Sequence, residues 1–376
     1  TRAHMRKKTA IVVGAGIVGL ATARALAVRG CRVTVIDKSI KAIGASVRNI
    51  GMVWPIGQPD GELYERALLS RSIWKEICTE AGIWFEEAGS IHVAYEKDEW
   101  IVLNELQEIY RHRGYRLLDA SETKSRSAYV VREGLAGSLY SEQELIIDPR
   151  KAMAAIPVWL NKKYGVEFIW GHAVTDILYP GVFTGNDVHE ADLIYVCSGA
   201  DFETLYPDLY SAQAITKCKL QMMRLGIQPV RIGPSICGGL SLLHYDSFKK
   251  APSSALLQKR FREELPEYIA AGIHVMVSQN SEGALTVGDS HEYGIDLDPF
   301  DRASINFLIL DYLRKFSRFP VEEVTESWHG IYPKMTNGST EVILEPEPGV
   351  QIINGLGGAG MTLSFGLCEK LIARTW

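Results

Sequence analysis

The chain has 376 residues, too many for one ordinary core and enough for two lobes. A net charge of −5 leaves no basic footprint for nucleic acid, and no apolar run approaches the ~20 residues of a membrane helix. The six cysteines (Cys31, Cys78, Cys197, Cys218, Cys237, Cys368) are scattered without a C-x-x-C, and the nine histidines show no ligand spacing. Buried thiols in a cytoplasmic protein, and no metal, are therefore expected. Thr1 to Met5 reads as a tag remnant ahead of a start methionine, with no secretory leader after it.

Lys8 to Val13 is an apolar run that enters Gly14-Ala-Gly16-Ile-Val-Gly19, a G-x-G-x-x-G. Ile17 to Arg29 then reads as an Ala- and Leu-rich helix closed by Gly30, and Val33 to Asp37 as a second strand ending in an acid. This is the βαβ dinucleotide fingerprint in full context. Gly14 permits the tight turn, Gly16 lets backbone N–H groups approach a pyrophosphate, and Gly19 lets the helix pack close to the sheet. Partial positive charge at the helix N-terminus favours the phosphates. Asp37 can accept a hydrogen bond from a ribose 2′-hydroxyl and would repel a 2′-phosphate, which disfavours an NADP-type ligand.

Residues 38–59 read as an ordered loop rich in Gly, Pro, Ser and Asn. Helices are predicted over Glu62–Ala81, Trp100–Arg113 and Pro149–Lys163, the last kinked at Pro157. Strands are predicted at Ile91–Tyr95, Val166–Trp170 and Leu193–Val196, with a strand and turn over Leu139–Ile147. Residues 216–290 show period-2 alternation at Lys219–Leu225, Ile273–Ser278 and Ala284–Val287, which predicts a largely antiparallel sheet. Phe300–Phe316 is an amphipathic helix, and Glu326–Tyr332 a strand. The chain then runs strand, glycine loop and helix again: Val350–Asn354, Gly355-Leu-Gly-Gly-Ala-Gly360, Met361–Ala373. Parallel strands from the start, middle and end of the chain can share one sheet. The fold expected is α/β (α+β). A discontinuous Rossmann-like domain (6–60, 140–215 and 326–376) carries an inserted antiparallel-sheet substrate domain (61–139 and 216–325).

With these segments the chain resembles the D-amino-acid oxidase, glycine oxidase and sarcosine oxidase class of FAD-dependent enzymes over nearly its whole length. The resemblance rests on the fingerprint with Asp37, Gly44-Ala-Ser46, Val196-Cys-Ser-Gly199-Ala, Trp328-His-Gly330-Ile-Tyr-Pro333, and Gly357-Gly-Ala-Gly360-Met-Thr362. It implies a Rossmann-like FAD-binding domain in which the second glycine loop lies over the isoalloxazine. The following helix dipole then stabilises charge at the ring's pyrimidine edge. The segment from Ala45 to Pro55 looks most like a branch of amine oxidases linked to phosphonate breakdown.

Cofactor contacts implied are Gly14, Gly16, Ile17, Gly19, Asp37, Lys38, Ala45, Ser46, Arg48, Asn49, Gly51, Met52, Val174, Ser198, Gly199, Gly330, Gly357, Gly358, Gly360, Met361 and Thr362. Val174 reads equally as a core valine, and Arg48 as facing phosphate, substrate or solvent. Amino-acid oxidases often carry, before the proline of the Trp328–Pro333 segment, an arginine that clamps a carboxylate. Here that residue is Tyr332, which disfavours a plain α-amino acid, while Lys334 offers a point charge. The catalytic candidates are His274, Tyr332 and Lys334, and the substrate-binding ones Arg48, His244, Tyr245 and Met276. His291, Tyr293, Gln221 and Arg224 rank lower. His244 and Tyr245 read as lid or surface loop, and Lys334 and His274 equally as a solvated lysine and a core histidine. No cysteine matches the covalent-flavin position, since Cys368 lies inside the last helix, so FAD is expected to be non-covalent.

The implied activity is oxidation of a primary or secondary amine by hydride transfer to flavin N5 and imine hydrolysis. Its expected substrate is a small aminophosphonate such as N-methyl-2-aminoethylphosphonate. The partners are that amine and O2 or another electron acceptor, with no nucleic acid and no membrane. The neutral amine expels hydride itself, so a low-dielectric pocket or a neutral histidine such as His274 suffices in place of a strong base. An amino-acid oxidase or hydroxy-acid dehydrogenase of the same fold is the first alternative. A non-catalytic FAD-binding protein is the second.

Overall fold

A computed structural model describes residues 6–376; Thr1 to Met5 lie outside the described residues. A six-stranded sheet runs in the order Val342–Glu347, Val350–Asn354, Leu193–Val196, Thr9–Val13, Arg32–Asp37, Glu167–Trp170. Every neighbouring pair is parallel except the first. The start, middle and end of the chain therefore meet in one sheet. The strands are nearly all apolar because both faces are covered. Along the first two strands, Ala10, Val12, Val33 and Val35 pack towards the helices Ile17–Ala27, Glu62–Ala81, Pro149–Tyr164 and Gly360–Ala373. Ile11, Val13 and Ile36 alternate to the other face, beneath a three-stranded antiparallel sheet spanning Asp176–Glu190. Pro157 sits inside a helix that runs unbroken from Pro149 to Tyr164, held by its buried face of Met153, Ile156 and Leu160.

A nine-stranded sheet carries the second large core. Its long antiparallel pair is Ile215–Ile227 against Val324–Met335. The boundary expected at residue 326 is thereby corrected: the segment carrying His329, Gly330, Tyr332 and Lys334 belongs to the large sheet. Alternating apolar side chains such as Leu220, Met222 and Tyr332 pack into that sheet's core, which binds the strand there. Ser235–Cys237 pairs parallel with Ser90–Ala94, so residues from the 61–139 and 216–325 ranges share the sheet. Residues 216–290 are not continuously sheet. The stretch after Gly238 folds into short 3-10 turns and the helices Ser254–Glu264 and Pro266–Ala270, whose Leu257, Phe261 and Tyr268 pack inward at helical rather than period-2 spacing. Among the described residues no helix is long and apolar enough to cross a membrane.

Candidate functional site

At the end of Thr9–Val13 the backbone turns at Gly14, where φ is +104° and a Cβ would lie 2.2 Å from the Cys197 carbonyl oxygen. A Cβ on Gly19 would lie 1.8 Å from the Gly14 carbonyl oxygen, which is why helix and turn can touch only through glycine. Two side chains brace the turn. The Ala15 N–H donates to Asp37 Oδ2 at 2.8 Å, and the Ile17 N–H donates to Ser46 Oγ at 2.9 Å. Asp37 also accepts from the Ser39 N–H at 2.8 Å. A carboxylate has about four acceptor positions, so Asp37 keeps capacity for a ribose hydroxyl. Ser46 accepts at its oxygen and keeps its own proton to donate. A glycine cradle at a helix N-terminus, with a carboxylate beside it, fits the pyrophosphate and ribose of a dinucleotide.

The second glycine turn lies against the first. A Cβ on Gly360 would meet Ile17 Cγ2 at 3.7 Å, and the Trp54 N–H donates to Thr362 Oγ1 at 2.9 Å. Asn354 donates to the Gly199 carbonyl at 2.8 Å, tying the strand before the last turn to the loop after Leu193–Val196. The loop 44–51 is braced internally. Asn49 donates to the Ala45 and Ser46 carbonyls and accepts from the Gly51 N–H, so both ends of its amide shape the loop. Arg48 donates to the carbonyls of Ile43 and His329, and its own carbonyl accepts from Trp328 Nε1, which fastens the loop to the large sheet.

A cleft of about 340 Å³ opens between the two turns and the large sheet. Ile17, Ala45, Ser46, Arg48, Asn49 and Met52 line it from the first half, and Gly357, Gly358, Gly360, Met361 and Thr362 from the last. The N-terminus of Gly360–Ala373 therefore faces the cleft and favours negative charge there. Trp54 Nε1 is buried at its edge without a hydrogen-bond partner among the described residues. This donor and the glycine-lined wall fit the acceptor edge of a planar ring system such as the isoalloxazine of FAD. Cys368 is fully buried against Thr22, and burial pushes its thiol up to about 12, so no thiolate is offered to a flavin.

The opposite wall is built from the large sheet and the 3-10 segment. It brings together His244, Tyr245, His274, Met276, Gly330, Tyr332 and Lys334, together with Asp289 and His291. The rings of His244 and His274 stack at 3.9 Å. His291 Nδ1 lies 2.7 Å from the Gly272 carbonyl, and His274 Nδ1 lies 3.1 Å from Ser241 Oγ. Burial, reinforced by neighbouring imidazoles, drives His244 far below the ordinary histidine value, and burial lowers His291 as well. Both are neutral at physiological pH. Burial also raises the Tyr332 and Tyr245 hydroxyls, which stay protonated. Tyr245 donates to Met276 Sδ at 3.1 Å. Lys334 lies 5.0 Å over the Tyr293 ring at the cleft's rim.

Other expected contacts stand outside this cleft. Gly16 and Gly51 are turn glycines. Lys38 pairs with Asp201 at 3.2 Å, and the Ser198 hydroxyl donates to the Asp201 carbonyl at 3.2 Å. Val174 is buried with Val13, Ile36 and Val196 in the core beyond the fingerprint sheet. Gln221 is committed to Arg302 and Asn306, and Arg224 points into a separate groove with Glu326. Sequence reasoning overlooked Trp54 and Asp289 and ranked His291 low. The Gly288-Asp-Ser-His291 turn was the only local sign of the last two.

The family model for FAD dependent oxidoreductases (DAO) matches residues 9–374. The fold is similar to glycine oxidase from Geobacillus kaustophilus, with a TM-score of 0.74 and 20% identity over 98% of this chain and 95% of that one. It is also similar to L-proline dehydrogenase from P. horikoshii, with a TM-score of 0.76 and 20% identity over 98% and 93%. A D-amino acid dehydrogenase of Helicobacter pylori is 25% identical over 250 residues, 52% of this chain. The match spans 60% of that relative's length.

Proposed function

The chain belongs to the FAD dependent oxidoreductase (DAO) family, and from that premise we propose that it oxidises a small primary or secondary amine bearing a phosphonate, of the N-methyl-2-aminoethylphosphonate kind. FAD, held by the Gly14–Gly19 and Gly357–Thr362 turns with Asp37 and Ser46, would supply a two-electron acceptor for hydride from the carbon beside the amine nitrogen. The chain's residues position and desolvate the amine. The buried wall of neutral His244 and His291 favours the unprotonated nitrogen, whose lone pair drives hydride departure. Water then hydrolyses the resulting iminium to an aldehyde and an amine. Electrons pass finally to O2 or another acceptor. Six unpaired, buried cysteines support a cytoplasmic location.

The observation that carries this reading is the missing guanidinium fork. Tyr332 stands where related amino-acid oxidases often place arginine, and the guanidinium of Arg48 is engaged with two backbone carbonyls. Among the groups lining the cleft, the Tyr332 hydroxyl and the Lys334 ammonium are separate donors for an anion. They suit a tetrahedral phosphonate better than a planar carboxylate. The D-amino acid dehydrogenase relative favours a second reading, with a carboxylate substrate. Anaerobic loss of the flavin's yellow absorbance separates them, measured with N-methyl-2-aminoethylphosphonate, 2-aminoethylphosphonate, glycine, sarcosine, proline and D-alanine. Fastest bleaching by an aminophosphonate is expected. Faster bleaching by a carboxylate assigns the second reading, and none at all removes both.

A further inference from the structure

We propose that His244, His274 and His291 form a binding site for one divalent first-row metal ion with a preference for imidazole, Zn2+ being its redox-inert representative. The three residues are far apart in sequence. They come from the end of the 3-10 segment Gly239–Leu243, the run before Met276–Gln279, and the turn after Ala284–Gly288. The fold nevertheless brings one ligand atom of each within 4.8 Å of the other two. Imidazole nitrogens are favoured ligands for Zn2+, Cu2+, Ni2+ and Fe2+, and three of them with an open position make a common metal set.

The rings are held as ligands are held. A carbonyl only accepts, so the 2.7 Å contact with the Gly272 carbonyl fixes the proton of His291 on Nδ1 and leaves the lone pair on Nε2. His274 Nδ1 is engaged by the Ser241 hydroxyl at 3.1 Å, and its Nε2 stands 3.2 Å from Asp289 Oδ1 without hydrogen-bond alignment, which leaves Nε2 as the nitrogen for an ion. A carbonyl partner of the kind His291 has orients a metal-ligating histidine and raises its basicity. Asp289 supplies a second, independent sign. Its side chain is 10% exposed, and Oδ1 has no hydrogen-bond partner among the described residues. A buried carboxylate oxygen without a donor is unfavourable unless a cation lies near. His244 makes no ring hydrogen bond to the described residues and stacks on His274 with 19° between the planes. Stacked rings point their lone pairs side by side, so uptake of the ion requires His244 to turn about its Cβ–Cγ bond.

The site shares His244 and His291 with the wall that faces the amine, but metal content is read without substrate, so the outcome does not depend on which amine is oxidised. FAD-loaded protein is freed of metal by chelator and dialysis, then titrated with Zn2+ by calorimetry and with Co2+ by visible absorption to the red of the flavin bands. One equivalent of Zn2+ and a Co2+ spectrum of nitrogen-rich, low-coordinate geometry are expected. His244→Gln and His291→Gln should each weaken binding by at least about 100-fold, and Asp289→Asn by about 10-fold. Variants are compared at equal flavin content and equal near-ultraviolet circular dichroism. Should a variant fail to hold flavin, the wild-type Co2+ spectrum decides alone. Binding of less than an equivalent by the wild type, an oxygen-dominated Co2+ spectrum, or unchanged binding in the His244→Gln/His274→Gln/His291→Gln variant overturns the assignment.

Discussion

Replacing Gly19 by alanine tests whether the fingerprint turn works through close backbone contact. The new Cβ would stand 1.8 Å from the Gly14 carbonyl oxygen and 2.8 Å from its carbon. Restoring an ordinary contact near 3.5 Å requires about 1.7 Å of movement. The obstructing atoms are backbone, and they belong to the turn that Asp37 braces through Ala15. Turning a side chain therefore cannot relieve the clash. Overpacking of this kind destabilises by about 1–3 kcal/mol, and a backbone clash belongs at the upper end. The displaced turn would also lose its grip on the pyrophosphate. Gly360→Ala is the matched control: it is also a helical glycine beside the cofactor, but its Cβ meets nothing nearer than 3.7 Å. Alanine there should be neutral or stabilise by up to about 1 kcal/mol through helix propensity. The assay is flavin content of purified protein together with Tm by calorimetry. Gly19→Ala should emerge colourless with a Tm several degrees lower, and Gly360→Ala should hold or raise its Tm. A Gly19→Ala protein that retains flavin and Tm would refute the contact argument, as would a Gly360→Ala protein whose Tm falls as far.

Three further outcomes are expected. Glu369 joins the last helix to the first through Arg24 and Arg29, each at 2.8 Å; burial opposes its ionisation, but the two guanidiniums outweigh it and hold its carboxyl below the usual range. A depressed folded value gives stability that is full above the unfolded value of about 4.3 and is lost as pH falls through the folded one. Glu369→Gln should thus cost about 1–2 kcal/mol in urea unfolding at neutral pH, with the gap closing in acid; a gap that persists in acid would assign the effect to packing. Ser46→Ala strands the Ile17 N–H at the head of the first helix and should lower stability by about 1 kcal/mol, an effect absent if the urea midpoint is unmoved. Tyr332→Arg should raise the ratio of kcat/KM for glycine or sarcosine over the aminophosphonate by about 10-fold, and an unchanged ratio removes Tyr332 from anion selection.

Much of the cofactor half is legible in the residues because its constraints are local. The turn at Gly14, the clash-free approach at Gly19 and the acid at Asp37 lie within one βαβ unit, and apolar strands buried on both faces announce themselves as continuous runs. The strand Val324–Met335 shows the limit. Its residues read as a strand, but whether it joins the parallel sheet or the antiparallel one depends on its pairing with Ile215–Ile227, about a hundred residues earlier. Ser46 is a similar case: it was expected to touch the cofactor, and the fold uses its oxygen first to cap a helix in another segment.

The sequence by itself determined that the chain carries a dinucleotide fingerprint at Gly14–Gly19 and a second glycine turn at Gly355–Gly360. Only the tertiary structure decided that His244, His274 and the Asp289–His291 turn meet, since these three stretches are too far apart in the chain to share a helical or strand period. Covalent spacing controls contacts within a few residues of chain. A cluster gathered from three loops of a sheet is set by strand register and by the packing beneath it, and neither has a signature in any short stretch of residues.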